Sequence, residues 1–393
     1  MKTPLLLLSL FITLFCCAQQ QFQVNHGIDT SNVYTKAILK KWKKYVSYDA
    51  DYLNREAQQT FGGFWSERMI KKYKYPDLLN YCGALSPSLL GLGLSNKVIA
   101  ISKRNGFYWL KSIFYYAEND SVFVPIAITN YPFTNENNDF RLHNTLLLNT
   151  STWKKKTVGQ IVYHYNSSHK FNSKTAFKAN SAYLQLTSLF GIKPEKLNYY
   201  IFENCDNLYQ TIGFDYRIGM GGENNRCGYY DAKNNNIYTG GYENPEFHEH
   251  EIIHIINNSF SNAHDWFLAG ISGYWGGHFG KNLNYHIDRV YDYLKKNPDV
   301  NLNNILAHSK LDDFTNPTYV YGGIFCHLAL QKNGINGLKR LLSYGTSDDD
   351  FYNAIDKELG IQENEIHTTM MKLLEEYSTK KIPTISYRDL SGK

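Results

Sequence analysis

The chain is sparing in several residue types. It has 10 prolines, six cysteines and five methionines among 393 residues, and no long run of either charge sign. Low proline with only 28 glycines excludes collagen-like and low-complexity chains, whose repeats need far more of both. With 41 basic and 36 acidic residues, the formal charge of +5 is spread thinly. That leaves no electrostatic footprint for nucleic acid, which needs cations clustered on one face. After the first 15 residues no apolar stretch approaches the ~20 residues needed to cross a bilayer, so no integral membrane segment is expected in the mature protein. What is present is a globular composition, 43% hydrophobic and 15% aromatic, long enough for two or three packed cores.

The first residues read as an address. Met1-Lys2-Thr3 gives a short basic start, Leu5 to Phe15 an apolar run, and Cys16-Cys17-Ala18 a small-residue exit. Residues 1–18 are expected to be a signal peptide, placing the mature protein in a secreted or periplasmic location. Lipid anchoring through Cys16 or Cys17 is disfavoured by the bulk of Phe15. Cleavage leaves Cys82, Cys205, Cys227 and Cys326. Their scattered spacing excludes a cysteine-bound zinc knuckle, and leaves two disulfides or free buried thiols open.

Texture divides the remainder near residue 160. From Asn32 to Trp65 the pattern is helical, with Ile38, Leu39, Trp42 and Tyr45 at three- and four-residue spacing. Strands are expected over Val98 to Ile101, Phe107 to Tyr116, Val122 to Thr129 and Phe140 to Leu148. Asn-rich turns such as Arg104-Asn105-Gly106 separate them. Residues 22–160 therefore read as an α+β module of helix and antiparallel sheet, with no cluster of chemistry-bearing side chains. Residues 161–393 read differently. A helix over Ser173 to Phe190 ends at Gly191, a strand follows over Leu197 to Phe202, and Cys227 to Thr239 forms a hairpin. The fold class expected is α+β throughout.

Immediately after the hairpin, Phe247 to Asn257 turns helical and contains His250-Glu251-Ile252-Ile253-His254. Residues four apart share one helix face, so both imidazoles can address one metal ion. Glu251 sits beside that face, placed to take a proton from a metal-bound water and return it to a leaving amine. Those are the parts of a zinc hydrolase acting on peptide bonds, with zinc as cofactor and a peptide or protein as substrate. The preceding His248-Glu249 pair lacks a second histidine at the right spacing, and His248 reads as an exposed helix-start residue. Ser272 is not in a nucleophile elbow, since Gly270-Ile271-Ser272-Gly273 has the wrong spacing. The turn at Gly219 to Gly222 lacks the Lys-Ser/Thr ending of a phosphate loop.

The motif and its surroundings resemble the gluzincin branch of zinc metallopeptidases over residues 173 to 370. In that family a helix and a strand precede an edge hairpin, the HExxH helix follows, and a second helix supplies a glutamate as third zinc ligand. Asp265-Trp266-Phe267-Leu268-Ala269-Gly270 stands at the corresponding place, with Ala269 where the glutamate would be. The resemblance implies zinc on His250 and His254, Glu251 as general base, and an extended substrate added to the hairpin. It also implies an oxyanion-binding tyrosine in Tyr319-Val320-Tyr321-Gly322-Gly323, with Tyr319 the better aligned and Tyr321 second.

Ala269 leaves the third ligand open. Asp265, one turn earlier on the same face, is the expected replacement, with His264, His248 and His278 nearby in sequence. The alternatives are loosely held zinc with water in the gap, or a catalytically inactive zincin-fold protein that binds a peptide or a surface partner.

Overall fold

Asn32 starts the first long helix because its side chain accepts from the Tyr34 and Thr35 N–H groups at 3.0 and 3.2 Å, satisfying donors that a helix start leaves open. Such local chemistry recurs through the computed structural model, which describes residues 22–47, 63–73, 76–79, 94–119, 122–222 and 226–390. The chain divides into two units, one of Met1–Ser151 with Asp206–Glu223, the other of Thr152–Cys205 with Asn224–Lys393. Both mix helix and sheet, and the class is α+β.

In the first unit, β1 (Phe22–Val24) runs parallel to β2 (Ser95–Arg104). An antiparallel meander continues through β3 (Phe107–Asn119), β4 (Val122–Glu136) and β5 (Asp139–Leu142). The turns are those the asparagines suggest, with Asn105, Asn137 and Asn138 all at positive φ. Helix α1 (Val33–Val46) buries Ile38, Leu39, Trp42, Tyr45 and Val46. The helix thus ends earlier than the pattern to Trp65 suggests, and residues 48–62 lie outside the described residues. The remaining helices are short, α2 (Glu67–Lys72) and α3 (Thr145–Asn149). The strand expected over Phe140 to Leu148 stops at Leu142, because the Asn144 side chain accepts from the Leu147 N–H and opens α3 instead.

Tyr163 and Tyr199 anchor the second unit's sheet, whose order is β10-β11-β8-β7-β6. It is formed by β6 (Lys154–Val158), β7 (Ile161–Tyr165), β8 (Leu197–Phe202), β10 (Cys227–Asp231) and β11 (Asn236–Gly240). The three central strands are parallel, and each outer strand pairs antiparallel with its neighbour. The expected boundary at 160/161 therefore falls at 151/152, since β6 belongs to this sheet. The excursion through α5 (Cys205–Ile212) and β9 (Phe214–Arg217) carries residues 206–223 to the first unit, where β9 pairs with β4.

Helix α4 (Ser173–Phe190) has the bounds the sequence suggests, capped by Asn172 and closed by Gly191 at φ 72°. It packs on α6 (Glu249–Ser259) and buries Ala176, Ala179, Tyr183 and Leu186. Then follow α7 (Asp265–Gly276), α8 (Leu283–Lys296), α9 (Pro317–Leu341, kinked at Asn333-Gly334), α10 (Asp348–Ala354), α11 (Ile366–Lys380) and α12 (Tyr387–Leu390). The backbone is non-helical at Asn333 and Gly334, so the stretch beginning near Tyr319 and the Leu-rich one around Leu338 are two helical segments joined at that glycine. Cys205 and Cys326 are buried and free, while Cys82 and the expected signal peptide lie outside the described residues. Among the described residues no helix is long and apolar enough to cross a membrane.

Candidate metal centre

Helix α6 is held at close quarters by its neighbours. A Cβ on Gly276 of α7 would come within 2.6 Å of the His250 Cα, so only glycine lets the end of α7 approach the start of the motif. Gly270 meets Gly322 just as closely where α7 crosses α9; a Cβ there would lie 2.1 Å from the Gly322 carbonyl carbon. These two contacts, absent from any periodicity count, bring the α9 start beside α6.

The three motif residues converge. One ligand atom each from His250, Glu251 and His254 lies within 4.8 Å of the others. The imidazole centroids of His250 and His254 are 4.7 Å apart and nearly perpendicular. His250 Nδ1 donates to the Gly277 carbonyl at 2.6 Å, which fixes its proton on that nitrogen and leaves Nε2 free as a donor. His254 Nδ1 lies 2.9 Å from Asn257 Nδ2 and 3.3 Å from Ser272 Oγ. Ser272 is fully buried and also bonds the Leu268 carbonyl, so it orients a histidine and attacks nothing. The Asn257 Oδ1 is buried with no hydrogen-bond partner.

Electrostatics follow from burial. Loss of water holds His250 below the ordinary imidazole range and pushes His254 down to about 3, with His250 and His248 adding to the effect. Both rings are neutral, the form that donates to a metal. Burial raises Glu251 to about 8, opposed by the Tyr230 backbone N–H that donates to it. In the metal-free protein at neutral pH this carboxyl is therefore largely protonated.

Edge strand β10 lines the other side of the base. A Cβ on Gly228 would lie 2.7 Å from Glu251 Oε1 and 2.9 Å from the His248 ring, so the glycine makes room for both. The Tyr230 N–H turns away from β11 toward Glu251, and Gly228, two residues along, presents its backbone to the same outer edge.

The other expected residues sort cleanly. Asp265 begins α7 exposed to solvent and is not among the converging groups. His264 caps α7 by accepting from the Trp266 N–H at 3.3 Å. His248 is not the exposed residue expected; its ring packs against Tyr242 at 4.5 Å, and its Nδ1, 3.8 Å from Glu251 Oε1, is buried without a hydrogen-bond partner. His278 stacks on Tyr319 at 4.3 Å, and both rings face His250, at 6.3 and 5.9 Å. Burial raises the Tyr319 hydroxyl, with Glu251 adding to the effect. Tyr321 is fully buried with its hydroxyl on His308 Nδ1 at 2.6 Å, a packing role.

Gly228, Asn257 and Gly277 were missed by sequence reasoning. Only Asn257 carried a local signal, three residues beyond His254 on the same helix face. No protein-family model matches the chain, and no curated protein matches it either.

Proposed function

We propose that the second unit is a zinc-dependent peptide hydrolase of the gluzincin kind, in an exported protein. The observation that carries this reading is the convergence of His250, Glu251 and His254 within 4.8 Å, with the His250 tautomer fixed by Gly277. The pair of neutral imidazoles fits a zinc ion better than calcium or magnesium, and leaves Glu251 beside it as the base. His248 is the nearest further imidazole, with its Nδ1 buried and unpartnered 3.8 Å from Glu251 Oε1 although outside the converging three, whereas Asp265 faces solvent.

When bound, zinc would supply Lewis acidity at the peptide carbonyl and lower the pKa of a water molecule. The chain's own residues do the rest. The outer edge of β10 pairs with an extended peptide, Gly228 letting the backbone pass close to Glu251. Glu251 takes a proton from the attacking water and gives it to the leaving amine. The Tyr319 hydroxyl donates to the oxyanion that develops on the former carbonyl.

The competing reading is an inactive zincin-fold protein that binds a peptide or surface partner, and the lack of a second carboxylate among the converging groups favours it. Hydrolysis of unfolded casein by the purified mature protein separates the two. The enzyme reading expects cleavage that a chelator stops, that added zinc restores, and that Glu251→Gln lowers by at least ~100-fold. Absence of cleavage with zinc present, or cleavage unchanged in Glu251→Gln, would sink it.

A further inference from the structure

Beside the histidine cluster lies a cavity of about 250 Å³, lined by Arg226, Tyr242, Phe279, Lys281, Tyr285 and Phe314 together with Gly280 and His286. It adjoins the metal centre on two sides. Tyr242 packs on His248 at 4.5 Å, and Phe279 lies 4.3 Å from the ring of His278. The space is smaller than the several hundred Å³ of sites that enclose whole cofactors, and suits one side chain.

Its chemistry is one-sided. The walls are aromatic rings, with Phe279 57% and Phe314 56% exposed, and two cations, Arg226 and Lys281; among the described residues no carboxylate lines it. Neither cation forms an ion pair with a described residue. Lys281 instead places its ammonium 5.4 Å over the Tyr285 ring. The nearby Arg289 is already neutralised by Asp312. His286 adds no charge, because burial holds it below the ordinary imidazole range; its Nδ1 meets Thr315 Oγ1 and its Nε2 the His278 carbonyl, each at 3.0 Å. An occupant with an apolar stem and a negative tip completes such a site. The rings cover the methylenes, and the cations meet the carboxylate.

We propose that this cavity is a specificity pocket for an acidic residue, glutamate above all, of the peptide that lies along β10. The pocket takes its place in a substrate path from the hydrolase reading, but its binding preference does not depend on turnover. The probe is therefore binding rather than cleavage. Blocked, fluorescein-labelled hexa-alanine peptides carry glutamate, glutamine or lysine at each internal position in turn, and bind metal-free Glu251→Gln protein in an anisotropy titration. The expected result is one position at which glutamate binds roughly tenfold tighter than glutamine, with an advantage that shrinks as salt rises. Lys281→Glu and Arg226→Glu, both at exposed positions, each abolish the advantage, and together they turn the preference toward lysine. Equal binding of glutamate and glutamine, no binding of any peptide, or a preference untouched by both charge reversals would overturn the pocket. Preference for glutamate without casein cleavage would leave the pocket standing and remove the hydrolase. Cleavage dependent on Glu251 without that preference would do the reverse.

Discussion

Both units bury polar side chains in aromatic surroundings, yet they settle them differently. In the first unit the Trp42 indole donates to Asn96 at 2.9 Å, Asn96 reaches Ser112, and Ser112 meets Thr129. Tyr45 and Tyr131 both donate to the buried Asp77 carboxylate, at 2.7 and 3.1 Å. Each donor of these two networks has its acceptor. In the second unit the centre around Glu251 leaves His248 Nδ1 and Asn257 Oδ1 without partners, and drives imidazoles and a carboxyl in opposite directions on the pH scale. A completed network ties a core together, while an incomplete one of ligand-type atoms marks a place arranged for something else to bind.

The sharpest test of that contrast is to remove a carboxylate from each. Asp77→Ala strands two tyrosine hydroxyls and is expected to cost about 3–4 kcal/mol, seen as a lower urea midpoint of the first unit's transition. Glu251→Gln is expected to do the opposite in metal-free protein. Glu251 has a raised pKa of about 8 against an ordinary 4.5, so the stability tied to its protonated form is full below 4.5 and lost as pH climbs toward 8. Glutamine cannot ionise, so the variant gains about 2–3 kcal/mol at pH 7 over wild type and shows no such decline. The acid side is governed by His254 and His248, both pushed down to about 3 from 6.5. Protons then favour the unfolded chain as pH falls from 6.5, and the second unit weakens in wild type and variant alike. A Glu251→Gln variant no more stable at pH 7 would break the comparison.

A smaller effect sharpens it. His248→Ala is expected to weaken zinc affinity 10- to 100-fold in a competition titration, whereas Asp265→Ala leaves it unchanged. The reverse ranking would return the third ligand to Asp265.

Much of this was legible in the sequence wherever the signal is local. The bounds of α4 follow from Asn172 and Gly191, the hairpin from alternation around an asparagine turn, and the motif's shared face from the helical repeat. What escaped depends on contacts between distant segments. Gly276 and Gly228 looked like ordinary turn or strand residues, although their missing Cβ atoms let α7 and β10 close on the motif. The role expected of Asp265 rested on helical spacing from Ala269, and its exposure shows that position on a face does not fix what that face meets.

The central claim is that His250 and His254 hold zinc. Mass-spectrometric metal content of the purified mature protein, beside His250→Ala and after dialysis against a weak chelator, measures it directly. Near-stoichiometric zinc in the wild type that vanishes in the variant is the predicted result; no zinc in either, after loading with a zinc excess, would contradict it.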